Sequence, residues 1–272
     1  MNRELKTKLI SSRIYPDFFK IRGAQNVLNL GIGYGPQAIV FKDQYKLMVG
    51  TDINFNKIIY FNLLNRDWKL PVQNCLCNVE NLPFQDGAFD SAIAIDIIEH
   101  LNNPRLMIQD IYRVLREKGK LLITFPCLLD FWTKYLRKIG RSLALRKHLP
   151  LLAPKKKSFI HKIFDMNSIY FQTSINQSVP YKSNNLKSTA HYNADSHKHY
   201  FTVKQWKKII ESAGFEITQK RSTTLFPPLH TIGIKKFWYT NTTIYKLDSA
   251  LSSIPLLNRF GQTMLCFAQR KN

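Results

Sequence analysis

The chain has 272 residues, 44% of them hydrophobic and 12% aromatic, which suits one α/β domain carrying insertions better than two full domains. Lys and Arg number 40 against 18 Asp and Glu, a net charge of +22 that favours anionic partners, nucleic acid or an acidic membrane surface. Cys75, Cys77, Cys127 and Cys266 show no paired CxxC spacing, which excludes a zinc site of that kind and a disulfide framework, so a reducing cytoplasm is expected.

Residues 1–23 open with MNRELKTKLISSRIYPDFF, mixing charged and apolar side chains without the uninterrupted apolar stretch of a signal peptide. No run elsewhere reaches membrane-spanning length. From residue 24 to about 130 short apolar runs alternate with amphipathic stretches: VLNL then QAIVF, KLMVGTD then FNKIIYFNLL, SAIAI then RLMIQDIYRVL, and KLLITF. This rhythm predicts βαβ units and an open, doubly wound, mostly parallel α/β sheet covered on both faces. Residues 131–195 break it with a stretch rich in Lys, Asn, Ser and His, read as an insertion after the fifth strand. The core resumes over 196–272, where VKQWKKIIESAGFEITQ reads as a helix stopped by Gly214 and followed by a strand, and TMLCFAQRK as a last strand.

The first strand runs into Gly31, Gly33 and Gly35. Glycines in a strand–turn–helix unit let backbone approach a ligand closely, and the helix beyond offers unpaired N–H groups. A dinucleotide fingerprint needs glycines at the first, third and sixth positions, but the sixth here is Pro36, and no Gly-Lys-Ser/Thr follows for Walker-type phosphate binding. Gly-x-Gly-x-Gly after a strand resembles the class I S-adenosylmethionine-dependent methyltransferases. Asp52 ends the second strand about 20 positions on, where a carboxylate accepts hydrogen bonds from both hydroxyls of a ribose. Asp52 or Asn54 could equally cap the helix that follows, and the two roles are compatible.

Residues 77–126, CNVENLPFQDGAFDSAIAIDIIEHLNNPRLMIQDIYRVLREKGKLLITFP, are similar to the ubiquinone-biosynthesis-type members of that family, with their L-P-F, F-D, E-H and R-V-L elements in order. The resemblance implies a seven-stranded Rossmann-like fold and S-adenosylmethionine as cofactor, held by Gly31, Gly33, Gly35, Asp52, Ile53, Asn78, Val79 and Asp96. Asn78 stands where the family commonly has an Asp bonded to the adenine amino group, and its amide oxygen can still accept that bond. Leu82, Pro83 and Phe84 would turn beside the adenine, and Asp96 would lie near the methionine part. Glu99 and His100 are candidate acceptor-side catalytic residues, His100 as proton acceptor, with support of the fold as the competing role. SHKHYFT matches the family's H-x-R-x-F-T with His199 in place of the basic residue, which makes His197 a further acceptor-side candidate. Thr202 would cap the next helix. His191, His197 and His199 lack a carboxylate or Cys at fitting spacing, so no metal is expected.

Phe131 to Phe164 holds ten Lys and Arg and no acid. Helical spacing would set Trp132, Tyr135, Leu136, Ile139 and Leu143 on one side and Lys134, Lys138 and Arg141 on the other, the build of an interfacial helix or of an amphipathic lid. Lys155, Lys156 and Lys157 add a cluster suited to anionic headgroups, giving a cytoplasmic protein with peripheral membrane contact. The sequence therefore predicts methyl transfer to a small-molecule or lipid-linked acceptor. RNA is the second candidate, favoured by charge and disfavoured by the lack of a recognisable RNA-binding module. A cofactor-binding protein without catalysis is the third.

Overall fold

The computed structural model describes residues 21, 23–33, 35–126, 198–199, 201–223, 242–255, 257, 261 and 263–271. These belong to one compact unit formed by 1–136 and 198–272. The N-terminal extension, the basic insertion, Cys127 and His197 lie outside the described residues.

In chain order the elements are β1 (Ala24–Leu30), α1 (Pro36–Val40), β2 (Tyr45–Asp52), α2 (Phe55–Trp68), β3 (Val72–Leu76), β4 (Phe89–Ala94), a 3-10 turn (Ile98–His100), α3 (Pro104–Val114), β5 (Leu115–Pro126), α4 (Val203–Ser212), β6 (Phe215–Thr223), α5 (Thr242–Ser252) and β7 (Thr263–Arg270). The strands form one sheet in the order β3-β2-β1-β4-β5-β7-β6. Every neighbouring pair is parallel except those of β7, which runs antiparallel to both β5 and β6. The seven strands and the predominance of parallel pairing are as the resemblance implied.

Strand alternation decides which layer each side chain joins. Leu28 and Leu30 of β1, Ala92 and Ala94 of β4, and Leu121 and Ile123 of β5 face one layer, where Met107, Ile108 and Ile111 of α3 and Trp206, Ile209 and Ile210 of α4 cover them. Val27, Met48, Ile93 and Leu122 face the other, under Ala38 of α1 and Ile58 and Phe61 of α2. Both faces of the central strands are thus dry, which is why they read as continuous apolar runs.

The helix starts follow local chemistry. Asn54 caps α2 by accepting the N–H groups of Asn56 and Lys57, and Asn103 caps α3 ahead of Pro104. Thr202 caps α4 as expected, in a reciprocal box with Gln205. Strand β3 carries no apolar run in sequence, because VQNCL is an edge strand paired only with β2 and half exposed.

Candidate active site

The middle strand β1 is flanked by β2 and β4, and Leu30 is level with Thr51 on one side and Ala94 on the other. The chain leaves β1 toward the α1–α2 layer and leaves β4 toward the α3 layer. In open α/β sheets ligands bind at the carboxyl ends of the strands where the connections part in this way.

The glycine turn occupies this edge, and its three glycines have different reasons. Gly31, Gly33 and Gly35 have φ of +66°, +54° and +79°, all in the left-handed region. A Cβ at Gly31 would stand 2.6 Å from Ile97 Cδ1, and one at Gly35 would run into the Phe61 ring. At Gly33 its nearest neighbour among the described residues would be the Gly31 carbonyl oxygen, 3.9 Å away. Gly31 and Gly35 thus close contacts within the protein, whereas Gly33 keeps bare backbone beside space that no described residue fills, a cradle that a side chain would occupy.

Asp52 is 6% exposed and joins the turn to the second helix. Its Oδ2 accepts the Gly33 N–H at 3.1 Å and its Oδ1 accepts the Asn54 N–H at 2.9 Å. Asn54 is therefore the helix cap and Asp52 the bridge. Each carboxylate oxygen keeps further accepting capacity, as a ribose diol requires. Ile53 is 56% exposed and Leu76, the register partner of Asp52, is 52% exposed, so two apolar side chains flank the carboxylate at the rim.

The next strand edge follows directly. Cys77 donates its N–H to the Asp52 carbonyl at 3.2 Å, which brings Asn78 alongside. Asn78 Oδ1 accepts the Glu80 N–H at 3.0 Å, leaving one lone pair for a ligand, and the Val79 side chain is buried in the core, leaving its backbone to serve. The Leu82–Phe84 turn is held by Arg113 of α3, a role that the sequence did not reveal. Its guanidinium donates to the Leu82 carbonyl at 2.9 Å, the Phe84 carbonyl at 2.6 Å, and Asp86 and Asp110 at 2.8 Å each, while Asp110 accepts the Leu82 N–H. These acids, Asp110 foremost, push the Arg113 pKa up.

Asp96 lies just beyond β4 with φ +52°, a conformation that non-glycine residues rarely adopt. Its N–H donates to Thr124 Oγ1 at 2.9 Å, and the same hydroxyl donates to Asp96 Oδ1 at 3.1 Å. Thr124 is buried at the end of β5. Sequence reading passed it over because LLITFP reads as an apolar strand with one incidental hydroxyl.

Residues 28–123, from β1 to β5, match the family model described as a methyltransferase domain. That segment is a methyltransferase domain of the class I S-adenosylmethionine-dependent type. It is 31% identical over 152 residues to the protein MJ0638 of Methanocaldococcus jannaschii, covering 55% of this chain and 60% of that one. It is 28% identical to the O-methyltransferase resE of Aspergillus sclerotiorum, over 47% of this chain and 46% of the relative. The chain thus spans about half the length of the curated relatives it matches. Other relatives are named as a phosphoethanolamine N-methyltransferase of Caenorhabditis elegans, at 27% identity over 41% of this chain and 26% of that one, and a tRNA U34 carboxymethyltransferase of Sulfurimonas denitrificans, at 28% over 30% and 28%. Among solved structures the YcgJ protein of Bacillus subtilis aligns over all of both chains with a TM-score of 0.52 and 13% identity, a likeness of fold.

In this methyltransferase core Glu99 and His100, the pair expected on the acceptor side, occupy the 3-10 turn after β4. Glu99 is 4% exposed, its Oε1 is 3.9 Å from His100 Nε2, and its Oε2 has no hydrogen-bond partner among the described residues. Burial, reinforced by the charge of Asp96, pushes its pKa up to about 8, so at neutral pH most of it carries a proton. His197 lies outside the described residues, but its neighbours Lys198 and His199 both donate backbone N–H groups to the Glu99 carbonyl, at 2.8 and 3.3 Å. Among the described residues no group of three or more His, Cys, Asp and Glu side chains could hold a metal ion, and no helix is long and apolar enough to cross a membrane.

Proposed function

We propose that the protein transfers a methyl group from S-adenosylmethionine to a small-molecule or lipid-linked acceptor. The observation that carries this reading is the open position at Gly33 beside the bridging carboxylate of Asp52, backbone and charge set together where the family holds its cofactor. The residues present fit that group. Asp52 would accept from the ribose hydroxyls, the Gly31–Gly35 turn would lie against the cofactor's backbone, and Ile53, Asn78 and Val79 would border the base. Asp96, clamped by Thr124, would face the methionine part. When bound, S-adenosylmethionine supplies an electrophilic methyl group on a sulfonium.

The chain's own contribution is alignment first and proton handling second, because displacement at a methyl carbon depends on the in-line approach of the acceptor. Glu99, protonated at neutral pH, is a hydrogen-bond donor to an acceptor rather than a base. His100 is then the group that takes a proton released by an attacking hydroxyl or amine. Residues 131–164, outside the described set, carry ten positive charges and no acid, which supports contact with an anionic lipid surface and a peripheral place at the cytoplasmic face of a membrane.

The test is to incubate the purified protein with S-adenosylmethionine labelled in the methyl group and with lipid, soluble-metabolite and RNA fractions in parallel. Label is expected in the lipid or metabolite fraction. Label confined to RNA would overturn the acceptor class while keeping the activity, and cofactor binding with no transfer to any fraction would favour a protein without catalysis.

A further inference from the structure

Four hydrogen bonds stitch residues 198–199 to the loop that follows the E-H pair. The Lys198 and His199 amides both donate to the Glu99 carbonyl, Lys198 Nζ donates to Asn102 Oδ1 at 2.6 Å, and His199 Nε2 lies 3.0 Å from the Leu101 carbonyl. A carbonyl only accepts, so Nε2 carries the proton and His199 donates. The His199 ring also leans on Phe201, with centroids 5.1 Å apart, and Phe201 meets Trp206 edge-on at 4.9 Å. Trp206 stacks on Phe125 of β5 at 5.6 Å, so the clasp is anchored in the core. The two halves of the clasp are about a hundred positions apart in sequence, separated by the insertion.

We infer that His199 is a positioning residue for the acceptor side: by bonding the Leu101 carbonyl it fixes the loop Glu99–Asn102 and so sets the place of Glu99 and His100. This rests on the reading of that pair as acceptor-side. Glu99 makes no side-chain hydrogen bond to a described residue through Oε2, so the backbone of its own turn, held from residues 198 and 199, orients its buried carboxyl. Among the described residues the charge of Asp96 acts on it, His100 Nε2 lies 3.9 Å from its Oε1, and Lys198 bonds its carbonyl through the backbone while sending Nζ to Asn102.

The bond and the ring contact are separable. His199→Gln places an amide N–H at similar reach and loses the stack, whereas His199→Phe keeps the stack and loses the bond. The full chain carrying each change is compared with wild type by amide hydrogen exchange at Lys198 and His199 or its replacement, by 13C titration of the Glu99 carboxyl, and by calorimetry with S-adenosylhomocysteine as probe. His199→Phe should speed exchange at least tenfold and lower the Glu99 midpoint by at least one unit, as water reaches the loosened turn, and His199→Gln should restore both. Probe affinity should stay within twofold throughout, because the glycine turn and Asp52 are untouched. The opposite order, Phe preserving and Gln losing, would overturn the proposal in favour of simple ring packing, as would no change in either variant. Should His199→Phe fail to fold, His199→Asn, whose amide is one carbon shorter, serves as the variant without the bond and is expected to show the same losses. A wild-type protein that does not bind the probe would sink the methyltransferase reading while leaving the clasp result legible.

Discussion

Gly33 donates its backbone N–H to the Asp52 carboxylate at 3.1 Å, so the glycine turn and the acid proposed to bind the ribose hold one another. Removing the acid therefore has two effects. Asp52→Ala leaves the Gly33 and Asn54 N–H groups without their acceptor and takes away both oxygens proposed to accept from the ribose diol. Each hydrogen bond to a charged group contributes about 1.5–3 kcal/mol, so S-adenosylhomocysteine affinity should fall by roughly tenfold to a hundredfold or more in calorimetry. Asp52→Asn should also weaken binding, since its amide nitrogen would face one of the two N–H donors.

The glycines should part company under substitution. Gly33→Val meets open space and should leave a folded protein that no longer binds the probe. Gly35→Val drives a side chain into Phe61, which is fully buried against α1 and β2, and should lower the melting temperature or abolish folding. Both also strain a positive φ. Circular dichroism melts beside binding curves distinguish the two, and equal melting temperatures would contradict the packing role of Gly35.

Glu99 makes stability depend on pH with a definite sign. Its folded-state pKa is raised from 4.5 to about 8, so the stability it confers is fully present below about pH 4.5 and is lost as pH rises to 8. At roughly 1.4 kcal/mol per unit, an order-of-magnitude figure of ~5 kcal/mol separates the two ends. Glu99→Gln should flatten this dependence. The variant should match wild type in urea unfolding near pH 4 and exceed its stability near pH 8.5, and parallel curves across that window would show that Glu99 is not protonated by burial.

Thr124 is expected to matter to binding although it lies beneath the site. Thr124→Val keeps the shape of the strand end but removes both the acceptor for the Asp96 N–H and the donor to its carboxylate. Asp96 then has less reason to stay at φ +52°. Affinity for S-adenosylmethionine should drop about fivefold to thirtyfold, on the order of 1–2 kcal/mol, with Thr124→Ser recovering most of it. Failure of Ser to recover would point to the methyl group rather than the hydroxyl.

By itself the sequence determined the alternating strands and helices, the glycine turn, the acid after β2 and the cap at Thr202, because each is written in neighbours: period-two burial, spacing of glycines, an oxygen one residue before a helix. Edge strand β3 was not legible, since half-exposed polar residues such as Gln73 and Asn74 leave no apolar signature. The placement of β7 between β5 and β6 is likewise a property of long-range pairing, with Cys266 meeting Ile123 on one side and Lys220 on the other. In the site, three identical glycines became two packing positions and one open cradle only once Ile97 and Phe61 were brought against them. Arg113, Thr124 and His199 act on residues 28 to 98 positions away. Their hydrogen bonds depend on where the strands end and how the chain returns, which local spacing does not encode. The composition set a net charge of +22, and the folded core decided where the Gly33 backbone meets the Asp52 carboxylate and where Glu99 is buried.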